Sequence, residues 1–176
     1  KIYNDIFYDI KRYKYENLLI LNLIKKIKHK NIKWLDIGCG TSKHFEYNNN
    51  YFLNNLSNKI DYYFNNHLEH KINEILKYKN ITYIGIDNSK YMLKMANKNK
   101  FNKHKYFINY NYDNLNKLNK NFDIITSFYC SLCYTKNIEK NLKSISKILS
   151  KNGYFIFSYF NKNILENLQL NILYKN

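Results

Sequence analysis

"WLDIGCGTSKH", Trp34 to His44, is an apolar run that ends in Gly38-Cys39-Gly40. The chain has four glycines in 176 residues, and two of them stand in this one turn. The segment "IKWLDIG" reads as a buried strand stopped by glycine. A strand that ends in G-x-G and turns into the next element makes a corner for an anion or a nucleoside. Gly38 permits a backbone angle that a Cβ would forbid, and Gly40 lets a ligand press against the main chain. In a dinucleotide site a third glycine follows three residues on. Lys43 stands there, so that fingerprint is absent.

Working outward, the flanking segments alternate in period. From Tyr13 to Lys28, Leu18, Leu19, Leu21, Ile24 and Ile27 fall at helical spacing, and the basic end "KKIKHK" suits a helix C-terminus. Downstream, "EYNNNYFLNN" reads as an Asn-rich loop (Asn48, Asn49, Asn50). Leu56, Ile60, Phe64, Leu68, Ile72 and Ile75 then trace one helical face, which predicts a helix over Leu56 to Tyr78. "ITYIGID" is the second strand, "SKYMLKMANK" a helix that Ser89 can cap, "KYFINYN" the third strand and "FDIITSFY" the fourth. "IEKNLKSISKILSKNG" reads as an amphipathic helix stopped at Gly153, "YFIFSYF" as the fifth strand, and "NKNILENLQLNILYK" as a last helical stretch. Strands alternating with helices predict an α/β fold with a mainly parallel sheet and helices on both faces. No linker divides the chain, so residues 1–176 are expected to form a single domain with a helical insert at about 48–78.

Composition narrows the classes. At 45% hydrophobic and 18% aromatic the chain is not of a disordered type. No apolar run is long enough to span a membrane, so no membrane association is expected. The sequence opens at Lys1, with no signal peptide visible. Three cysteines, Cys39, Cys130 and Cys133, suggest reduced thiols and an intracellular, cytoplasmic setting, with nuclear or organellar compartments left open. Cys130 and Cys133 form a C-x-x-C, but no second ligand cluster accompanies it, so no metal is expected and the pair reads as loop thiols. The five histidines are scattered; His67 and His70 lie three apart on the expected insert helix and read as a solvated face. The net charge of +16 would attract polyanions. Part of that charge has a second source: the chain has no Pro or Val, one Ala and one Arg, and is crowded with Lys, Asn, Ile and Tyr, the signature of an AT-rich genome.

The quoted stretch resembles the glycine motif of class I S-adenosylmethionine-dependent methyltransferases, apolar-apolar-Asp-apolar-Gly-x-Gly-x-Gly, with Ser42 in place of the third glycine. Three further segments match in order. "YIGIDNSKYMLKMA" is similar to the family's second strand and following helix, with Asp87 at the strand end, where a carboxylate can accept from ribose hydroxyls. "INYNYDNL" is similar to the segment that places a carboxylate, here Asp113, near the adenine amino group. "FDIITSFYCSL" and "LKSISKILSKNGYFIFSYFN" are similar to the fourth strand, its helix and a Gly-Gly turn whose first glycine is Asn152 here, a residue that tolerates the left-handed angle. The resemblance covers Lys33 to about Asn161. It implies a Rossmann-like fold and S-adenosyl-L-methionine as cofactor, held by Asp36, Gly38, Cys39, Gly40, Asp87, Asn88, Asp113, Ser127 and Phe128. Alternatives stay open: Asp36 could cap a helix or bind a loop amide, Asp113 could be an ordinary loop residue, and Phe128 could be core. The sequence departs from the family in the insert before Asp87 and in ending soon after the fifth strand, so either the gene product continues or the family's C-terminal hairpin is missing, and the second is the expectation.

For the acceptor, absent residues exclude several subclasses. Amino-group methylases carry [DN]-P-P-[YFW] after the fourth strand, and this chain reads Ser127-Phe128-Tyr129-Cys130. Ribose methylases of the lysine–aspartate–lysine–glutamate type need an Asp there, and cytosine-carbon methylases need a Pro-Cys. "FYCSLCY" loosely resembles the matching segment of messenger RNA cap guanine-N7 methyltransferases, with Cys133-Tyr134 where that family has His-Tyr. Guanine N7 carries its own lone pair and requires no base. The resemblance implies an RNA substrate of cap or tRNA type, with Tyr129 and Tyr134 on the substrate side and RNA or a capping or RNA-processing assembly as partner. The alternatives are a small-molecule or protein methyltransferase, and a methyltransferase-like subunit that binds a partner without catalysing.

Overall fold

The computed structural model describes residues 10–42, 79–98 and 105–159. The expected insert helix, its Asn-rich loop and the last helical stretch lie outside the described residues. The described elements run α1 (Ile10–Lys26), β1 (Asn31–Ile37), β2 (Asn80–Asp87), α2 (Lys90–Lys98), β3 (Lys105–Asn109), β4 (Phe122–Ser127), α3 (Ile138–Ile148) and β5 (Leu149–Phe157). Two short 3-10 turns, Tyr112–Lys117 and Ser131–Tyr134, follow β3 and β4.

The five strands form one parallel sheet in the order β3-β2-β1-β4-β5. Burial follows that order. β4 is buried throughout and β1 is buried from Trp34 onward, as central strands covered on both faces must be. β3, at the edge, exposes most of its residues. One apolar layer joins Ile20, Leu21, Ile24 and Ile27 of α1 to Trp34, Tyr83, Ile124 and Phe128. The other joins Leu35, Ile37, Ile86 and Ile125 to Ile145 and Ile148 of α3. The alternation of Trp34 and Leu35 between the layers is the period-2 side-chain rule of a strand. Trp34 and Tyr83 meet edge to face, with ring centroids 5.1 Å apart at 87°, and each is fully buried. An aromatic contact of this kind adds about 1 kcal/mol to the gain from burial.

Two expectations are corrected. On α1 the inward face carries Ile20, whereas Leu19 is 45% exposed. The helix after β4 ends at Ile148, not at Gly153, and Leu149 already stands opposite Phe122 of β4. Pairing resumes with Tyr154 opposite Ile124, so a bulge intervenes. Asn152 sits in it at φ 65°, the left-handed angle foreseen for that residue.

β1 neighbours both β2 and β4, so the direction of winding reverses beside β1. In open α/β sheets, ligands bind in the crevice at that point, outside the carboxyl ends of the strands. Gly38, Asp87 and Phe128 directly follow or end β1, β2 and β4 and therefore converge there.

Candidate functional site

The glycine turn is fixed from below by β2. The N–H groups of Gly38 and Cys39 both donate to the Ile86 carbonyl, at 2.8 and 3.0 Å, and Ser42 N–H donates to the Cys39 carbonyl at 2.8 Å. Gly38 has φ 72° and Gly40 φ 53°. The two glycines serve different needs. A Cβ on Gly38 would come within 2.3 Å of Ser131 Cβ and Oγ, so the turn after β4 packs directly on it. A Cβ on Gly40 would meet nothing within 4 Å, so a ligand can approach the main chain there. Ser42 also takes a left-handed angle, φ 64°, which explains why a glycine suits its place.

Asp87 laces this turn to the next. Its Oδ2 accepts from Gly40 N–H at 2.9 Å and its Oδ1 from Ser89 N–H at 2.8 Å. Each oxygen keeps a further lone pair, the acceptor capacity a diol requires. Ser89 Oγ in turn accepts from Met92 N–H at 3.3 Å and caps α2. Asn88 is exposed beside Asp87, and its carbonyl accepts from Asn109 Nδ2 at 2.8 Å.

Asp36 lies deeper. It is 2% exposed, with Oδ2 accepting from the Tyr83 hydroxyl at 2.6 Å and Oδ1 from Thr126 Oγ1 at 2.8 Å. Thr126 Oγ1 accepts from Trp34 Nε1 at 2.8 Å, and Ser42 Oγ donates to the Tyr83 hydroxyl at 3.4 Å. The carboxylate thus ties β1, β2 and β4 together under the glycine turn. Burial pushes its pKa up to about 6, against the opposing pull of the Tyr83 and Thr126 hydrogen bonds. Burial likewise raises the Cys39 thiol well above its usual value, with the charges of Asp36 and Asp87 adding to the shift. Cys39 is therefore a packed thiol and not a nucleophile.

The turn after β4 is strained. Tyr129 and Cys130 take consecutive left-handed angles, φ 52° and 57°, at a cost of about 1–3 kcal/mol each. The fold holds them with a Cys130 N–H to Ser158 Oγ bond of 3.1 Å and with Ser131 Oγ, which donates to the Phe128 carbonyl at 2.8 Å and the Gly38 carbonyl at 3.3 Å. Ser127 is wholly buried, and Phe128, 5% exposed, belongs to the α1 layer of the core. Tyr134 stands out from the second 3-10 turn at 77% exposure. Cys130 is buried and Cys133 exposed. Asp113 sits in the first 3-10 turn, where its N–H donates to Asn111 Oδ1 at 2.9 Å. Among the described residues no group of three or more metal-type side chains gathers, and no helix is long and apolar enough to cross a membrane.

The structure thus brings Gly38, Cys39, Gly40, Asp87 and Asn88 together at one corner, with Ser127, Phe128 and Tyr129 entering from β4. Sequence reasoning missed Tyr83, Thr126, Ser131 and Tyr112. The Tyr112 hydroxyl hydrogen-bonds the Asn88 backbone and would lie 3.4 Å from a Cβ on Gly38. Burial raises its pKa well above the usual tyrosine range, so it stays a neutral hydroxyl.

A family model described as "Methyltransferase domain" matches residues 8–174. The solved plantazolicin methyltransferase BpumL, in complex with SAH and a pentazolic desmethylPZN analog, is 21% identical at a TM-score of 0.63, over 94% of this chain and 53% of that one. The plantazolicin methyltransferase BamL is 21% identical at a TM-score of 0.57, over 84% of this chain and 45% of that one. CalS10, an amino pentose methyltransferase from Micromonospora echinaspora solved with SAM bound, is 13% identical at a TM-score of 0.61, over 92% and 57%. At these identities the likeness shows a shared fold. The chain spans about half the length of these relatives, 53% for BpumL. No curated protein matches the chain in sequence.

Proposed function

The chain belongs to the methyltransferase domain family, and from that premise we infer that it binds S-adenosyl-L-methionine at the β1 glycine turn and transfers its methyl group to an acceptor. One observation carries the reading: the open face of Gly40 lies beside a carboxylate, Asp87, fixed by two backbone N–H groups at the strand end. The residues present fit the cofactor. Asp87 would accept from the ribose hydroxyls, the main chain at Gly38–Gly40 would border the amino-acid half, and Asn88 and Asp113 would flank the adenine. Asp36 contributes from beneath, by holding Tyr83 and Thr126 and so the floor of the turn.

The cofactor supplies an electrophilic sulfonium methyl group. The chain's part is then to align an acceptor and keep the site dry. The stretch Ser127 to Asn137, from the end of β4 to α3, contains no carboxylate and no histidine. That favours an acceptor with its own lone pair, such as a ring nitrogen, over one that must first lose a proton. Of the two candidate side chains, Tyr134 is exposed and would stack on a planar acceptor ring, whereas Tyr129 is half-buried and packs against the α1 layer, so it would act from behind the turn.

RNA, through a cap guanine or a tRNA base, is our first acceptor, supported by the net charge of +16 and by Tyr134. A small molecule or a modified peptide is the second, supported by the likeness to enzymes named for plantazolicin and for an amino pentose. An intracellular, cytoplasmic setting belongs to the same proposal and is supported by three free thiols. The test is transfer of labelled methyl from S-adenosylmethionine to capped RNA, to tRNA and to a panel of azole peptides and amino sugars. Label in RNA that requires Tyr134 supports the first reading. Label confined to the small acceptors moves the assignment to the second, and none in any acceptor, from chain that binds the cofactor, leaves a non-catalytic subunit.

A further inference from the structure

In a parallel sheet all strands start at one edge, and here that edge is the one opposite the glycine turn. Each strand enters or starts through a lysine: Lys30 before β1, Lys79 before β2, Lys105 at the start of β3, Lys120 before β4 and Lys151 in the bulge that opens β5. With strands ~4.8 Å apart, this row spans ~19 Å. Lys28 extends it, exposed, in the turn between α1 and β1. All three described helices also end toward this edge with lysine in their last turn, Lys25 and Lys26, Lys98, and Lys147. Helix dipoles account for those four. They do not account for Lys28, Lys30, Lys79 or Lys120, which lie outside helices.

Counter-charge is scarce among the described residues. Among the described residues the carboxylate at this edge is Asp123, which is 9% exposed. Its Oδ2 accepts from Lys33 N–H at 2.9 Å, and its Oδ1 lies 3.3 Å from His29 Nε2, so its charge is drawn inward. The Lys79 ammonium is fixed at the edge by the carbonyls of Ile27 and His29, at 2.5 and 2.8 Å. Tyr106, 52% exposed, stands next to the row on β3.

We propose that this amino-terminal edge of the sheet is a docking surface for single-stranded nucleic acid, its lysines on the phosphates and Tyr106 beneath a base. A row of cations beside an exposed aromatic ring is the arrangement that holds such strands without sequence preference. An anionic membrane fits less well, because membrane binding needs exposed aliphatic or aromatic anchors to insert, and the large exposed side chain described beside the row is a single tyrosine. The surface stands independently of the methyl-transfer reading, since it lies at the other end of the strands.

The probe is a labelled single-stranded RNA of about 20 nucleotides, titrated with the full chain and followed by fluorescence anisotropy. If about four phosphates are neutralised, affinity falls about 50-fold between 50 and 200 mM salt, from a slope of about −0.7 per phosphate. The triple variant Lys28→Glu, Lys30→Glu, Lys120→Glu is expected to bind about tenfold or more weakly at low salt. A control with the same change in net charge on the solvent faces of α2 and α3, Lys94→Glu, Lys140→Glu, Lys143→Glu, is expected to lose less than about threefold. Equal loss in both variants, no RNA binding by the wild-type chain at low salt, or edge-lysine-dependent binding to phosphatidylserine vesicles in place of RNA would each overturn the proposal. Cofactor affinity in both variants, measured alongside, stays at the wild-type value and keeps a failure here separate from a failure of the cofactor site.

Discussion

Asp36 shows how one residue can be visible in a sequence while its role is not. Its place in the glycine motif marked it, yet its partners are 47 and 90 residues away, and nothing local announces Tyr83 or Thr126. The same holds for Ser131, whose contact with Gly38 spans 93 residues. The places of Asp87 and the two glycines were readable because they depend on the strand end itself. The buried Asp36 has a consequence for stability. Its folded pKa of about 6 exceeds the ordinary 3.8, so the native state binds its proton more tightly than the unfolded chain does. Stability from this group is therefore fully present below about pH 4 and is lost as pH rises through about 6, a change of order 3 kcal/mol. Urea unfolding of wild type and Asp36→Asn across pH 4 to 7 should show the wild type losing ground to the variant over that window. Parallel curves would remove Asp36 from the pH dependence.

At the scale of elements, the alternation of periods located all five strands, because central strands in a parallel sheet are continuous apolar runs bounded by polar residues. The α3–β5 boundary was misplaced for a definite reason. "LSKNG" continues a plausible helical face, and only the pairing of Leu149 with Phe122, 27 residues earlier in the chain, pulls it into the sheet. α3 also carries a local conflict. Asn141 faces inward at 1% exposure, and neither its Oδ1 nor its Nδ2 has a hydrogen-bond partner. A buried, unsatisfied amide costs about 1–3 kcal/mol. Asn141→Leu, close in volume and suited to the apolar layer of Ile145 and Ile148, is expected to raise unfolding free energy by about 1–2 kcal/mol in a denaturant titration. A loss of stability would mean that the amide is satisfied in solution.

For the molecule as a whole, a five-stranded sheet reversing beside β1 sets the carboxyl ends of β1, β2 and β4 around one corner, and the cofactor reading depends on that convergence. The sequence carried the order of the motifs but not which of them would touch, since register and packing arise only when strands from distant segments pair. Calorimetric titration of the folded chain with the demethylated cofactor, S-adenosylhomocysteine, tests this most directly, in wild type and in Asp87→Ala and Asp87→Asn, each checked for a cooperative thermal transition. The account predicts micromolar-range binding by the wild type, weakened about 10- to 150-fold in Asp87→Ala, the scale for losing hydrogen bonds to a charged group, with Asp87→Asn in between. A folded wild-type chain that gives no heat of binding, or an Asp87→Ala variant that binds as tightly as wild type, would contradict it.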